Sequence, residues 1–294
     1  PLIYMIIGVL KEPVQETRVS LLAEAAATLI KKGQQVWVES GAGINAFCPD
    51  ADYTKAGAEI RTSAEILSGA DIILSIHPPS AVPSRNVVLI GVYQALLNES
   101  LMQEWKSKGL TIFSMEKLPR TTRAQSMDVL SSQANIAGYK AVLLAANTYG
   151  RYFPMFMTAA GSIPPAKVLI LGAGVAGLQA IATARRLGAV VEVFDTRPAV
   201  KEEVMSLGAK FVEVEGAADA SKAGGYAVEQ TEEYKAKQQQ RIADSIAKAD
   251  IVITTAQIPG KKAPILITEP MLERMRTGSV IIDLAAATGG NTPF

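Results

Sequence analysis

Residues 167–189 read KVLILGAGVAGLQAIATARRLGA, a short apolar run that breaks on three glycines and continues into a helical pattern. Gly172, Gly174 and Gly177 keep the G-x-G-x-x-G spacing directly after the apolar run, where a buried parallel strand is expected to turn into a helix. Each glycine has its own task there. Gly172 permits a tight turn, Gly174 lets the backbone approach a pyrophosphate, and Gly177 lets helix and strand pack closely. The first N–H groups of the helix then point at the anion. A tight strand–helix turn without a ligand is the alternative for a bare glycine triplet.

A second strand, 190–195, reads VVEVFD and ends in Asp195, eighteen residues past Gly177. A carboxylate there accepts hydrogen bonds from an adenosine ribose and repels a 2′-phosphate, so the expected ligand is NAD(H) rather than NADP(H). Arg197 is a residue that suits a 2′-phosphate, but Asp195 occupies the nearer position.

Outward from this stretch, the chain repeats one theme. Strand-like runs at 3–9, 35–39, 71–76, 87–92 and 111–115 alternate with helical or turn-rich segments. A second set follows at 167–171, 190–194, 210–214, 250–254 and 279–283. Alternation of this kind predicts parallel sheets flanked by helices, and 294 residues suit two such domains. The expected fold is α/β: two Rossmann-like parallel-sheet domains, 1–135 and 136–294, joined by a long helix with a cleft between them. That helix is predicted over 121–147, with Met127, Leu130, Ala134, Ala137 and Ala141 on one face, and about 27 residues would span roughly 40 Å.

Composition narrows the chemistry. With 29 Lys+Arg against 28 Asp+Glu, no electrostatic footprint for nucleic acid is present. The single cysteine, Cys48, excludes an internal disulfide framework and reads as a structural thiol. The single histidine, His77, excludes a multi-histidine metal site and leaves acid–base chemistry short of its usual agent, so no metal is expected. No apolar run reaches the roughly 18 residues that a membrane span needs. The opening PLIYMIIGVLKEP lacks a basic leader and cleavage site, and reads as a first strand rather than a signal peptide.

Three segments depart from the α/β rhythm. Residues 152–166, YFPMFMTAAGSIPPA, form either a projecting hairpin or a buried connector. Residues 215–240 are Gly-rich before turning into a charged helix; 216–230, with Tyr226 beside Gly224 and Gly225, read as a lid. The third segment, RTTRAQSMDVLSS at 120–132, is short of long charged side chains. Gln125, Asp128 and Ser131 or Ser132 recur at helical spacing and form a stripe suited to hydrogen bonding a carboxamide, or else an ordinary helix start with Asp128 at the positive dipole end.

KEPVQETRVS, PRTTRAQSMDVLSSQANIAGY, GAGVAGLQAI, FDTRPAVKEEV, TTAQIPGKKAP and IIDLAAATGGN together resemble the NAD(H)-binding component, domain I, of the proton-translocating NAD(P) transhydrogenase family. The resemblance covers essentially the whole chain, and the spacing of Arg120, Gln125, Asp128 and Ser131 is its most specific feature. It implies direct hydride transfer between NAD(H) here and NADP(H) on a partner domain, coupled to proton movement through a transmembrane domain, at the cytoplasmic face of the inner membrane. Arg120, Asp128 and Ser131 would hold the nicotinamide end, and Gln125 would reach the NADP ribose. Gly172, Ala173, Gly174, Val175, Ala176, Gly177, Asp195, Thr196, Arg197, Gly225, Tyr226, Thr255, Ala256 and Gln257 would hold the remainder of NAD(H). A homodimer with 152–166 in its interface is expected. Gln230 and Gln257 depart from the apolar residues of relatives and imply a more polar lid. The family also continues beyond GGNTPF with a further strand and a return to the first domain.

Alanine dehydrogenase is similar and shares the KE…ETRV opening. Its family works with a Lys and a His, where this chain has Ser75 and no His near Gln94; Arg18 remains as a carboxylate anchor. A non-enzymatic NAD(H) sensor is the third reading. Direct transfer between two nicotinamides releases no proton at the reacting carbons, which suits a chain with one histidine.

Overall fold

In a computed structural model, residues 4–83, 85–119, 121–214, 231–258 and 260–293 are described, and the chain divides into two units, Pro1–Val129 and Leu130–Phe294. The first unit is built on strands β1 (Ile6–Val9), β2 (Gln35–Glu39), β3 (Glu59–Arg61), β4 (Ile72–Leu74), β5 (Val88–Gly91) and β6 (Thr111–Ser114). All pair in parallel in the order β3-β2-β1-β4-β5-β6. Helices α1 (Ala23–Lys31), α2 (Asp50–Lys55), α3 (Ser63–Gly69) and α4 (Glu99–Ser107) connect them. Successive strand residues face opposite ways. β2 therefore sends Val36 and Val38 into one core with Ala26 and Tyr53, and Trp37 towards the other with Ile66 and Trp105. Both faces of the sheet are covered, as a parallel sheet requires. Cys48 is buried in the first of these cores, as the structural-thiol reading expects.

The second unit opens with α5 (Val129–Thr148) and a two-stranded antiparallel hairpin, β7 (Phe156–Thr158) and β8 (Gly161–Ile163). Strands β9 (Lys167–Leu171), β10 (Val190–Phe194), β11 (Lys210–Phe211), β12 (Ile251–Thr254) and β13 (Val280–Asp283) then pair in parallel in the order β11-β10-β9-β12-β13. Helices α6 (Val175–Arg186), α7 (Lys201–Ser206), α8 (Glu232–Ile246) and α9 (Glu269–Glu273) complete it. Val168 and Ile170 of β9 pack with Val142 of α5 and Ile181 of α6, whereas Leu169 and Leu171 pack with Ile242 and Ile246 of α8. Because β9 is flanked by β10 on one side and β12 on the other, the connections leave in opposite directions at its carboxyl end. That point is where ligands enter open sheets of this kind.

The helix predicted over 121–147 is two elements. Thr122–Met127 is a 3-10 turn, Asp128 is non-helical with φ −78° and ψ 83°, and α5 starts at Val129. Aspartate competes for backbone N–H groups and so favours the position just ahead of a helix over its interior. Gln125 and Asp128 consequently do not share a helical stripe with Ser131. The expected apolar face is buried only in its later part: Ala141 is buried along with Gly138, Val142 and Ala145 of α5, Ala134 and Ala137 are half-buried, and Met127 and Leu130 are exposed. The strand β3 was not expected, and β11 ends at Phe211 rather than continuing to 214. Residues 152–166 do form a hairpin, with Phe153 buried and Tyr152, Met155, Phe156 and Met157 exposed.

Candidate functional site

The glycine turn forms the floor of the site. Gly172 has φ +106°, which an L side chain rarely adopts, and a Cβ added there would come within 2.4 Å of Thr255 Oγ1. A Cβ on Gly177 would come within 1.9 Å of the Gly172 carbonyl oxygen, so only glycine lets α6 descend onto the end of β9. Gly174 differs from both. It stands at the start of α6 with nothing within 4 Å of a Cβ and no side chain capping the helix. The first N–H groups of an α-helix have no partner within it, so the turn formed by Val175, Ala176 and Gly177 offers the arrangement that receives a phosphate anion. α5 is drawn up to this turn through Gly138, whose absent side chain leaves room for the Ala176 carbonyl, and through Asn135 Nδ2, which donates to Gln179 Oε1 at 3.2 Å. Ser131, on the first turn of α5, is carried by the same helix.

Asp195 follows β10, and its side chain is only 6% exposed. Its Oδ2 accepts from the Ala173 N–H at 2.7 Å, which ties the acid to the glycine turn. Its Oδ1 accepts from the Arg197 backbone N–H at 2.8 Å, across Thr196. Arg197 also clasps it through the side chain, with Nε 2.9 Å from Oδ1 and Nη2 2.7 Å from Oδ2. The hydrogen bonds to Asp195 are the main reason why the Arg197 guanidinium holds its proton even more tightly than usual. Arg197, expected from the sequence to be the more distant residue, is thus the direct partner of Asp195.

The third wall is the loop after β12. Thr255 Oγ1 donates to the Gly172 carbonyl at 3.1 Å, and Gln257 Nε2 donates to the Leu284 carbonyl at 3.0 Å. Ala256 is held at both ends by one side chain: its N–H donates to Asn291 Oδ1 at 3.1 Å, and its carbonyl accepts from Asn291 Nδ2 at 2.9 Å. The Asn291 N–H donates in turn to Asp283 Oδ2 at 2.7 Å, while Asp283 Oδ1 accepts from Thr254 Oγ1 at 2.9 Å. Asn291 and Asp283 were missed as site-shaping residues. Their signal was present in IIDLAAATGGN, an acid ending a strand and an amide after two glycines.

Of the residues expected at the site, the structure brings Gly172 to Gly177, Asp195, Thr196, Arg197, Thr255, Ala256 and Gln257 together in the second unit. Gln125, exposed on its 3-10 turn, and Asp128 belong to the first unit. Arg120, Gly225 and Tyr226, with the rest of the lid segment 216–230, lie outside the described residues. No cluster of three His, Cys, Asp or Glu suited to a metal occurs among the described residues.

The first unit holds a separate polar cluster beside a cavity of about 250 Å³ lined by Lys11, Glu12 and Glu16. Arg18 donates through Nε to Glu16 Oε1 at 2.8 Å and through Nη2 to Glu16 Oε2 at 2.6 Å. His77 Nε2 lies 2.8 Å from the same Oε2. The Arg18 guanidinium, ahead of smaller contributions, lowers the Glu16 carboxyl to a pKa of about 2. Ser75 is buried, its Oγ 3.1 Å from Tyr93 Oη.

A turn of three spaced glycines, an uncapped helix start and a buried acid at the switch point of a parallel sheet define a dinucleotide-binding protein of the doubly wound class. Residues 8–137 match the family described as alanine dehydrogenase/PNT, N-terminal domain, and residues 141–293 its C-terminal domain. The chain is 48% identical to an NAD(P) transhydrogenase subunit alpha of Rickettsia prowazekii, over 98% of this chain and 78% of that protein. A crystal structure of transhydrogenase from Sinorhizobium meliloti superposes with a TM-score of 0.88 at 49% identity, covering 98% of this chain and 80% of that one. Alanine dehydrogenase of Bacillus subtilis is 30% identical over 97% of this chain and 72% of its own length. The chain belongs to the alanine dehydrogenase/PNT family and, within it, to the NAD(P) transhydrogenase alpha subunits.

Proposed function

We propose that the second unit binds NAD(H) and that the chain exchanges hydride directly between it and NADP(H) held by a partner domain, as the NAD(H)-binding component of a proton-translocating transhydrogenase. The observation that carries this reading is Asp195, anchored to the glycine turn through Ala173 and set where an adenosine ribose lies when its pyrophosphate meets α6. A carboxylate at that place disfavours a 2′-phosphate. In this reading Arg120, Asp128 and Ser131 hold the nicotinamide end, Gln125 faces the partner's nucleotide, and Gly225 and Tyr226 belong to a lid. A transmembrane partner carries the proton path, and this chain works at the cytoplasmic face of the membrane. Among the described residues no helix is long and apolar enough to cross one.

An alanine dehydrogenase needs a free cation for the substrate carboxylate and a group that moves a proton. Here the Arg18 fork is engaged by Glu16, and Ser75 is bonded to Tyr93. The arrangement therefore favours nicotinamide-to-nicotinamide transfer.

The test is separate titration with NADH and NADPH, then a hydride-transfer assay with the NADP-binding component added. NADH is expected to bind at least about tenfold more tightly. Gln125→Asn is expected to keep NADH affinity yet slow transfer on the order of a hundredfold, because a misplacement of about 1 Å between reacting groups costs that much. Equal affinities, or wild-type transfer in the variant, refute the reading.

A further inference from the structure

The donors around Asp195 are of two kinds. A carboxylate offers about four lone-pair directions, and Asp195 fills them with four N–H groups. Two come from the backbone, at Ala173 and Arg197, and the fold fixes them. The other two, Nε and Nη2, sit on one side chain that is 17% exposed and is not part of the backbone that the fold fixes. An adenosine ribose presents two neighbouring hydroxyls, and both must donate to this same carboxylate if Asp195 is to read it. With four directions filled, the diol enters only where donors leave, and only the guanidinium can leave.

We infer that Arg197 is a built-in competitor for the adenosine ribose: its guanidinium occupies the two positions on Asp195 that the ribose hydroxyls take, and nucleotide binding exchanges one pair of donors for the other. This rests on the proposal that NAD(H) binds the second unit. The physical logic has two sides. A buried carboxylate without a counter-charge is costly, so Arg197 stabilises Asp195. The same charge-assisted, two-pronged grip must be broken by every incoming nucleotide, so Arg197 weakens binding and speeds release. Glu203, on the neighbouring α7, adds a weaker electrostatic attraction on Arg197. Arg197 is thereby a specificity-determining residue whose contribution to affinity is negative.

The experiment is a double-mutant cycle read by calorimetry with ADP-ribose, which carries the adenosine ribose without the nicotinamide, and with NADH. Arg197→Met is expected to tighten ADP-ribose binding about three- to tenfold. In the Asp195→Asn background the same change is expected to alter affinity less than about twofold, because the amide no longer holds the guanidinium. Arg197→Lys, which keeps the charge but not the fork, is a second variant should the methionine impair folding, and it too is expected to tighten binding. Unchanged or weaker binding in either Arg197 variant overturns the inference, as does an equal gain in both backgrounds. If the wild-type chain binds neither NADH nor ADP-ribose, the functional proposal falls and this inference with it; NADH binding in the wild type without the gain removes the inference alone.

Discussion

Single residues divide here into those that shape the turn and those that tune charge. Gly174 and Gly177 belong to one motif but answer to different constraints. Gly177→Ala would push a methyl to within 1.9 Å of the Gly172 carbonyl oxygen, backbone against backbone, so α6 must retreat from β9. A loss of about 1–3 kcal/mol in urea unfolding is expected, with weaker NADH binding as a consequence. Gly174→Ala meets nothing within 4 Å and has a φ of −77°, open to any residue. Its stability is expected to stay within about 0.5 kcal/mol of wild type, while NADH affinity, measured by calorimetry, falls at least about tenfold because the methyl stands where the pyrophosphate approaches. Equal stability losses in the two variants would contradict this division. Glu16 illustrates the charge side. Folded, it stays ionised down to about pH 2 in the grip of Arg18, against 4.5 in the unfolded chain. The unfolded chain therefore binds more protons in that window, so stability is full above about pH 4.5 and is lost as pH falls towards 2. Because the Arg18 side chain is 46% exposed, screening by water limits the effect to about 1 kcal/mol. Glu16→Gln is expected to melt below wild type at pH 6, with the gap narrowing below about pH 4.5 and closing only as pH approaches 2. A gap that does not change with pH would refute the assignment.

At the scale of elements, what could be read from the sequence was whatever one element decides by itself. β9 and β10 are apolar runs buried on both faces, and the glycine turn is a local backbone requirement, so their positions follow from the residues within them. β3, with the three residues Glu-Ile-Arg, carries no such pattern and exists because β2 offers it an edge. The break at Asp128 was hidden because an aspartate at helical spacing looks the same inside a helix as ahead of one. Arg197 and Asn291 were underrated for a different reason: what matters is which atom each one reaches, and only the folded turn decides that. The hairpin 152–166 was legible as an excess of large apolar groups, but not as buried or exposed. Phe153 anchors it, edge-on to Tyr149 at 6.4 Å, while Tyr152 and Phe156 cover each other at 4.6 Å. Met157 remains 80% exposed. An apolar hairpin with this much exposed surface is expected to be an association surface. The chain is expected to sediment as a homodimer at micromolar concentration, and Met157→Asp to raise the dimer dissociation constant at least about tenfold without changing the melting temperature of the monomer. A wild-type monomer, or a dimer indifferent to the charge, removes the hairpin from the interface.

Across the whole molecule, the titratable groups point in one direction. Among the described residues, those with clearly displaced pKa values move away from neutrality: Glu16 down to about 2, Glu65 and Glu233 down, Tyr93 up to about 12, and Tyr53, Tyr149 and Tyr234 up. The carboxylates descend chiefly through hydrogen bonds to their neighbours and the tyrosines rise chiefly through burial. Enzymes that move protons do the opposite, drawing an acid or a base towards the working pH. The only histidine is bonded to the Glu16 of the Arg18 pair, in the first unit. In the proposed reading the chain holds NAD(H) for transfer to NADP(H) on its partner, a step that needs no acid–base group. Single-turnover hydride transfer, with NADH bound here and NADP⁺ bound to its partner component at saturation, is therefore expected to be flat within about twofold between pH 6 and 9 and to show a solvent deuterium effect near unity. The same experiment with deuterium at C4 of NADH is expected to slow transfer, since the C–H bond is the one that breaks. A bell-shaped profile with a solvent effect of about two or more would reveal an acid–base group in the transfer step, and would return the alanine dehydrogenase type of chemistry to this chain.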